Sequence, residues 1–346
     1  MTKEKILIAA AIFFSFIASP PGNAGQPAAS PDEIRAVYLA TAHLFNEKKI
    51  SELEKIFAET HANGIVIDFK DNNSPPYERL AKLAKRFKNQ GAYTIARIVT
   101  FQDSHFARRQ PEAAIKHSDG SFWHSGRKEW QRYWLDPASP KAQDYNIEIA
   151  KKAIDCGFDE IQFDYIRFPT DGNMKNINYP VFGLNQQSKR ETMKGFFKKI
   201  SSELKNYSPK TLIAIDVFGE VMAYGKEAGI GQHLADIAEY FDVVCPMAYP
   251  SHYKCGEFGV KDPTAHPYKV YYATLKNGLK FLDGKKKIII RPWIQDFTIT
   301  SIYGCGPMVV YDKEKVMAQI RAGKDLGING FMLWNANSKF TEEALR

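Results

Sequence analysis

Three aspartates, Asp68, Asp164 and Asp216, interrupt or close short apolar runs, and Glu220 follows the last of them by a few residues. Carboxylates in pairs can do acid–base chemistry: one member holds a proton for a leaving group while the other stays ionised to attack or stabilise the cation that remains. A carboxylate inside a fold must be paired or reach solvent, because an isolated buried charge is strongly unfavourable. Arg97, Arg167 and Arg291 stand in comparable contexts. They would serve either as counter-charges in a site or as purely structural salt-bridge partners.

These residues need elements that bring them to one place. Eight short apolar segments recur, at 34–40, 64–70, 92–99, 158–164, 211–217, 242–248, 287–293 and 328–334. Amphipathic stretches lie between them at 50–60, 77–89, 139–156, 188–205, 231–240, 270–282 and 313–326. Strands alternating with helices of this length predict a parallel sheet covered by helices, and a count of eight predicts closure into a (β/α)8 TIM barrel. Gly64, Gly91, Gly157 and Gly327, each just before a strand, have the placement of helix C-terminal caps.

Alternation within the strands sorts their faces. Ile65, Ile67 and Phe69 oppose Val66 and Asp68; Ile161 and Phe163 oppose Gln162 and Asp164. Ile213, Ile215 and Val217 oppose Leu212, Ala214 and Asp216, and Ile288 and Ile290 oppose Ile289, Arg291 and Trp293. The wholly apolar face belongs against the helices and the mixed face inside the barrel. Asp68, Asp164, Asp216, Arg291 and Trp293 then converge at the carboxyl ends of the strands, where sites of this architecture lie, joined by Arg97 and Tyr249 on the third and sixth strands. The long connection 100–136 adds rings, Trp123 and Trp130 among them, interspersed with Arg and His. Exposed rings of this kind stack on sugars, and about half are expected instead to pack the loop onto the barrel. His252, in the loop after the sixth strand, is a further sugar-contacting candidate.

Lys3 and Lys5 precede the apolar run 6–17 and a small-residue stretch ending at Ala24, the form of a signal peptide at 1–24. A short linker at 25–32 and a single barrel domain at 33–346 follow, so the protein is expected to be periplasmic or secreted. No later stretch approaches 18 apolar residues, so no stable membrane insertion of the mature chain is expected. The net charge of +8 is spread over amphipathic helices, without a nucleic-acid motif. No spacing suggests a metal site, a nucleophile elbow or a dinucleotide fingerprint, so neither metal nor organic cofactor is expected. Cys255 and Cys305 follow the sixth and seventh strands at the same barrel end and are expected to form a disulfide; Cys245 is expected as a buried strand residue and Cys156 as a helix-terminal one.

The run Gly157-Phe158-Asp159-Glu160-Ile161-Gln162-Phe163-Asp164-Tyr165-Ile166-Arg167-Phe168-Pro169 resembles the fourth-strand signature of a bacterial family of glycoside hydrolases with a TIM-barrel domain. The likeness extends to Tyr133-Trp134-Leu135-Asp136-Pro137, Ile215-Asp216-Val217-Phe218-Gly219, Pro246-Met247-Ala248-Tyr249-Pro250-Ser251-His252-Tyr253 and Arg291-Pro292-Trp293-Ile294-Gln295. More distantly, the segment is similar to chitinase-like barrels, with Asp159 and Asp164 at acidic positions. Ile166 stands where those enzymes carry their acid, and Gln162 replaces another carboxylate, so their mechanism does not transfer.

The resemblance implies hydrolysis of a polysaccharide or oligosaccharide by two carboxylates. Asp164 is the expected nucleophile or oxocarbenium-stabilising group, near Arg97 or Arg167. Asp216 is the expected proton donor, with Trp293 or another carboxylate raising its pKa; Glu220 and Asp68 are alternatives. Arg97, Trp123, Trp130, Arg167, Tyr249, His252, Arg291, Trp293 and Trp334 are the substrate-binding candidates. A noncatalytic carbohydrate-binding barrel, or a polysaccharide lyase or deacetylase, would use the same mouth.

Overall fold

The computed structural model describes residues 30–72, 75–126, 132–184, 186–226 and 229–346. The segment read as a signal peptide and the candidate Trp130 lie outside them. Eight parallel strands close on themselves: β1 (Arg35–Leu39), β2 (Gly64–Lys70), β3 (Tyr93–Val99), β4 (Glu160–Asp164), β5 (Leu212–Phe218), β6 (Val243–Met247), β7 in two pieces (Ile289–Ile290 and Trp293–Gln295) and β8 (Phe331–Trp334). Closure is made where β8 returns to β1, with Arg35 opposite Phe331 and Ala36 opposite Met332. The chain is a (β/α)8 TIM barrel.

The helices outside the strands are α1 (Glu47–Glu59), α2 (Tyr77–Lys88), α4 (Pro140–Asp155), α5 (Lys189–Tyr207), α7 (Leu234–Tyr240), α8 (Pro267–Leu282) and α9 (Lys313–Lys324); α3 (Ser104–Arg109) and α6 (Gly219–Tyr224) are single short turns near the mouth. Side chains satisfy the free amides at several helix starts. Asn46 accepts from Lys49, Ser139 from Ala142 and Asp312 from Lys315, and Ser188 and Glu191 form a reciprocal capping box. Gly91, Gly157 and Gly327 take left-handed φ values of 81°, 84° and 75° before their strands. Gly64 does not cap in this way; it opens β2 in a place where a Cβ would meet the Ile34 side chain at 2.5 Å.

The two faces read from strand alternation become two separate apolar clusters. Ile65, Ile67, Phe69, Ile161, Phe163, Ile213, Ile215, Val217 and Ile290 pack in the layer between strands and helices. Val66, Ala214, Cys245, Tyr249, Trp293 and Met332 fill the barrel interior. Cys245 is a buried free thiol, Cys156 is half-buried at the end of α4, and Cys255 is bonded to Cys305.

Arg291 is where sequence and structure part. It faces inward as expected, but its fully buried guanidinium pairs at 2.6 Å with Glu160, the first residue of β4, and donates to the Pro31 carbonyl at 2.7 Å. Tyr93, at the start of β3, donates to the other oxygen of Glu160. These partners belong to the amino ends of the strands, so Arg291 closes the opposite end of the barrel from the mouth and is not a substrate-binding residue. No helix among the described residues is long and apolar enough to cross a membrane.

Candidate active site

A cavity of about 690 Å³ opens at the carboxyl ends of the strands, lined by residues of β3 to β8 and their following loops. Asp164, the last residue of β4, is on its wall and only 6% exposed. Arg97 of β3 donates to its Oδ2 through Nε at 3.1 Å and Nη2 at 2.5 Å, and the Tyr165 amide donates to Oδ1 at 2.6 Å. Tyr165 adopts a left-handed φ of 49°, which turns the chain away directly after the carboxylate while its ring stays on the cavity wall.

Asp68 does not reach the cavity. Its Oδ1 accepts from Arg97 Nη1 at 2.6 Å, and its Oδ2 takes the Tyr38 hydroxyl at 2.6 Å together with the amide and hydroxyl of Thr41 at 3.0 and 2.9 Å. With every oxygen engaged and 1% exposure, Asp68 anchors Arg97 and is not placed to protonate a substrate. Arg97 is thereby clamped between two carboxylates, with Trp334 and Tyr38 rings 5.4 and 5.7 Å from its guanidinium carbon.

Asp216 also lies off the cavity wall, 1% exposed. Gln162 Nε2 and Trp293 Nε1 both donate to its Oδ1, at 3.0 and 2.8 Å, while its Oδ2 is buried without a partner among the described residues. Burial pushes this carboxyl well above the usual carboxylate range, and the charge of Asp164 pushes it further. The raised pKa expected from the sequence is present, but Trp293 acts against it, because an indole N–H stabilises the ionised form.

The carboxylates on the cavity wall among the described residues are Asp164, Glu220 and Asp171. Glu220 stands half-buried in the first turn of α6, directly after β5. The wall beside it is close because position 219 is glycine: a Cβ there would lie 2.1 Å from the Tyr253 hydroxyl, which bonds the Thr274 hydroxyl at 2.7 Å. Asp171 is exposed in the loop after β4, a position with no periodic signal to mark it.

Arg167, Tyr249, His252, Trp293 and Trp334 all line the cavity. The His252 ring bonds the Ser251 hydroxyl at 2.9 Å, and burial lowers its pKa, keeping it neutral. Trp123 does not join them: it is fully buried and donates from its indole to the Asn173 carbonyl at 2.9 Å, packing the long connection onto the next loop. Phe101, Phe106 and Trp134 of the same connection are buried as well, whereas Phe122 and Tyr133 stack half-exposed at 4.9 Å. Tyr253, Lys254, Ile302 and Tyr303 complete the rim. The Cys255–Cys305 bond fastens together the two loops that carry them.

Residues 72–340 match the family model described as "Putative glycosyl hydrolase domain". No curated protein matches the sequence. Among solved structures, a chitinase of Cycas revoluta with bound (GlcNAc)3 is 12% identical and superposes with a TM-score of 0.55 over 90% of this chain and 97% of its own. An α-galactosidase of Thermus thermophilus in complex with stachyose is 13% identical, with a TM-score of 0.54 over 91% of this chain and 64% of its own. A hypothetical protein of Ruminiclostridium thermocellum is 29% identical over 52% of this chain and 97% of its own, with a TM-score of 0.44. At these identities the chitinase and the α-galactosidase share the barrel fold with this chain.

Proposed function

Since the chain belongs to this glycosyl hydrolase family, we propose that it cleaves glycosidic bonds of an extracytoplasmic or cell-surface polysaccharide, with Asp164 facing the anomeric carbon and Glu220 protonating the leaving oxygen. The observation that carries the assignment is exclusion at the cavity wall: of the four carboxylates that the sequence offers, Asp68 and Asp216 are sealed beneath it, and Asp164 and Glu220 line it. Asp164 supplies the negative charge that an oxocarbenium-like transition state needs. Glu220, on a short helix next to the mouth, has the longer side chain and the freer position suited to a donor that must reach a bridging oxygen. Asp171 is the less suitable donor because it stands exposed on a loop, whereas Glu220 is half-buried in the turn directly after β5. Water then adds to the anomeric carbon, its proton passing to the carboxylate that gave one up.

Asp216 and Asp68 act through others. Asp68 holds Arg97 in the orientation that grips Asp164, and burial beneath the cavity, together with the charge of Asp164, disfavours a second negative charge on Asp216. Export to the periplasm or beyond is supported by the Cys255–Cys305 bond, since such bonds persist in oxidising compartments, and by the charged-then-apolar start of the sequence. Reducing-end release from a panel of bacterial and plant polysaccharides, with Asp164→Asn as the control, tests the reading. Binding without release at high protein concentration would instead indicate a noncatalytic carbohydrate-binding barrel.

A further inference from the structure

Four cations are buried among the described residues: Lys70, Arg97, Arg167 and Arg291. Three have carboxylates in contact: Lys70 has Asp103 at 2.7 Å, Arg97 has Asp68 and Asp164, and Arg291 has Glu160. Arg167 has none within ion-pair distance. It is 6% exposed, lines the cavity, and its one hydrogen bond among the described residues runs from Nη1 to the Phe168 carbonyl at 3.0 Å. The rings of Phe218, Trp134 and Tyr165 surround the guanidinium carbon at 4.4, 5.1 and 5.4 Å. Rings compensate a buried charge only in part, and the remaining N–H donors of the fork are unspent. Asp171 and Asp164 act on it at longer range.

A desolvated guanidinium on a cavity wall without its own counter-ion is a site waiting for one. We propose that the sugar bound beside Arg167 carries an oxyanion substituent, a uronate carboxylate or a sulfate ester, held by the guanidinium fork. Planar forks of this kind grip carboxylates through two parallel hydrogen bonds, which gives geometric selectivity beyond attraction. Lys254, exposed at the rim of the same cavity and without an ion pair among the described residues, supplies a second positive charge at the entrance. The substrate class is thus an acidic polysaccharide, in keeping with the chain's net charge of +8, which favours approach of a polyanion. The inference rests on the hydrolase reading only for placing the glycan in this cavity.

The test is calorimetric binding to the Asp164→Asn protein, which should not consume its ligand. The probes are oligogalacturonate, oligomannuronate, the same oligosaccharides after reduction of their carboxyl groups to neutral hexoses, and a sulfated galactan oligosaccharide. At least one acidic probe should bind more tightly than its neutral counterpart by about 10- to 100-fold, the size of a charge-assisted contact. Which acidic probe does so separates carboxylate from sulfate. Adding Arg167→Gln should bring the preference to about twofold or less, while Arg167→Lys keeps part of it. Equal binding of acidic and neutral forms, binding of no acidic probe, or a preference unchanged by Arg167→Gln overturns the proposal. The acidic-to-neutral ratio of the Asp164→Asn protein stands as a test even if the glutamine variant fails to fold. Acid-dependent binding without cleavage by the unmutated chain would defeat the hydrolase reading and leave this one standing. Cleavage of a neutral glycan with no dependence on Arg167 would do the reverse.

Discussion

Replacing Asp164 by Asn removes one negative charge and changes little else in shape. The amide oxygen can still accept from Arg97 in the place of Oδ2, but the NH2 that replaces Oδ1 cannot accept from the Tyr165 amide; Arg97 keeps its bond to Asp68, which three other donors hold in place. The stability cost should therefore be that of one weakened charge-assisted bond and one lost backbone-amide bond, about 2–3 kcal/mol, at or below the low end of the roughly 3–5 kcal/mol of breaking a buried ion pair outright. Relief of Asp216 from the charge of Asp164 offsets part of that loss. Catalysis should fare much worse. A carboxylate aimed at developing positive charge in a dry site contributes about 3–4 kcal/mol or more, so kcat should fall by at least about 10²- to 10³-fold. The assay is kcat on the best polysaccharide from the panel and on an aryl glycoside of the same sugar, beside a thermal melt of both proteins. A drop in Tm of a few degrees with a hundredfold loss of turnover is expected. Folded Asp164→Asn with near-wild-type kcat would refute the reasoning, and a collapse in Tm would show that the aspartate is mainly a structural partner of Arg97.

Glu220→Gln should reduce kcat on the natural polymer by about 10²-fold or more, and far less on a glycoside whose leaving group needs no proton; equal losses on both would return the donor to another residue. Asp216 has a folded-state pKa raised above its unfolded one, so its stabilising contribution is complete below about pH 4 and is lost as pH rises through the folded value. Asp216→Asn should accordingly gain on the wild type between pH 4 and pH 8 in urea-denaturation midpoints, and parallel pH curves would contradict the buried, neutral assignment. Arg291→Leu leaves Glu160 buried without its counter-ion and should cost about 3–5 kcal/mol of stability while the surviving folded enzyme keeps its KM; an intact melting curve with a raised KM would move Arg291 back toward the site. Opening the 50-residue separation between Cys255 and Cys305 by changing both to Ser should cost about 2–4 kcal/mol and raise KM, because the rim residues Tyr253, Lys254 and Tyr303 lose their common tether; unchanged KM under reducing conditions would dissociate the bond from the site.

The faces of the strands were legible because a period of two is written directly into residue order: Ile161 and Phe163 went to the helix side and Gln162 and Asp164 to the interior. Depth along the barrel axis has no such signal. Arg291 and Trp293 share a face, yet one pairs with Glu160 at the amino ends of the strands and the other lines the cavity. The interrupted seventh strand, with Pro292 between its pieces, conceals where the mouth begins. Lateral reach was equally silent: Asp68 and Asp216 were on the right face and still ended beneath the wall, because neighbours from other strands cover them. Rings in the long connection could not be divided into packing and binding sets, since Trp123 becomes a buried wedge only once the next loop supplies the Asn173 carbonyl. Asp171 sat in irregular chain, where no periodic argument applies.

The left-handed backbone of Tyr165 has a consequence for anyone selecting sturdier versions of this protein. A bulky side chain in that conformation costs about 1–2 kcal/mol that glycine would not. Glycine at 165 would release that strain, but losing a ring packed against the core costs about 3–5 kcal/mol, more than the strain it relieves, so heat resistance alone also favours tyrosine there. Accepting glycine would strip from the cavity wall a ring that stands against Trp134 and helps enclose the unpaired Arg167 guanidinium, and it would let the chain after Asp164 wander. Robustness and enclosure of the cavity pull in the same direction at this single residue, and a tyrosine is kept in a conformation that suits glycine because its ring outweighs its backbone.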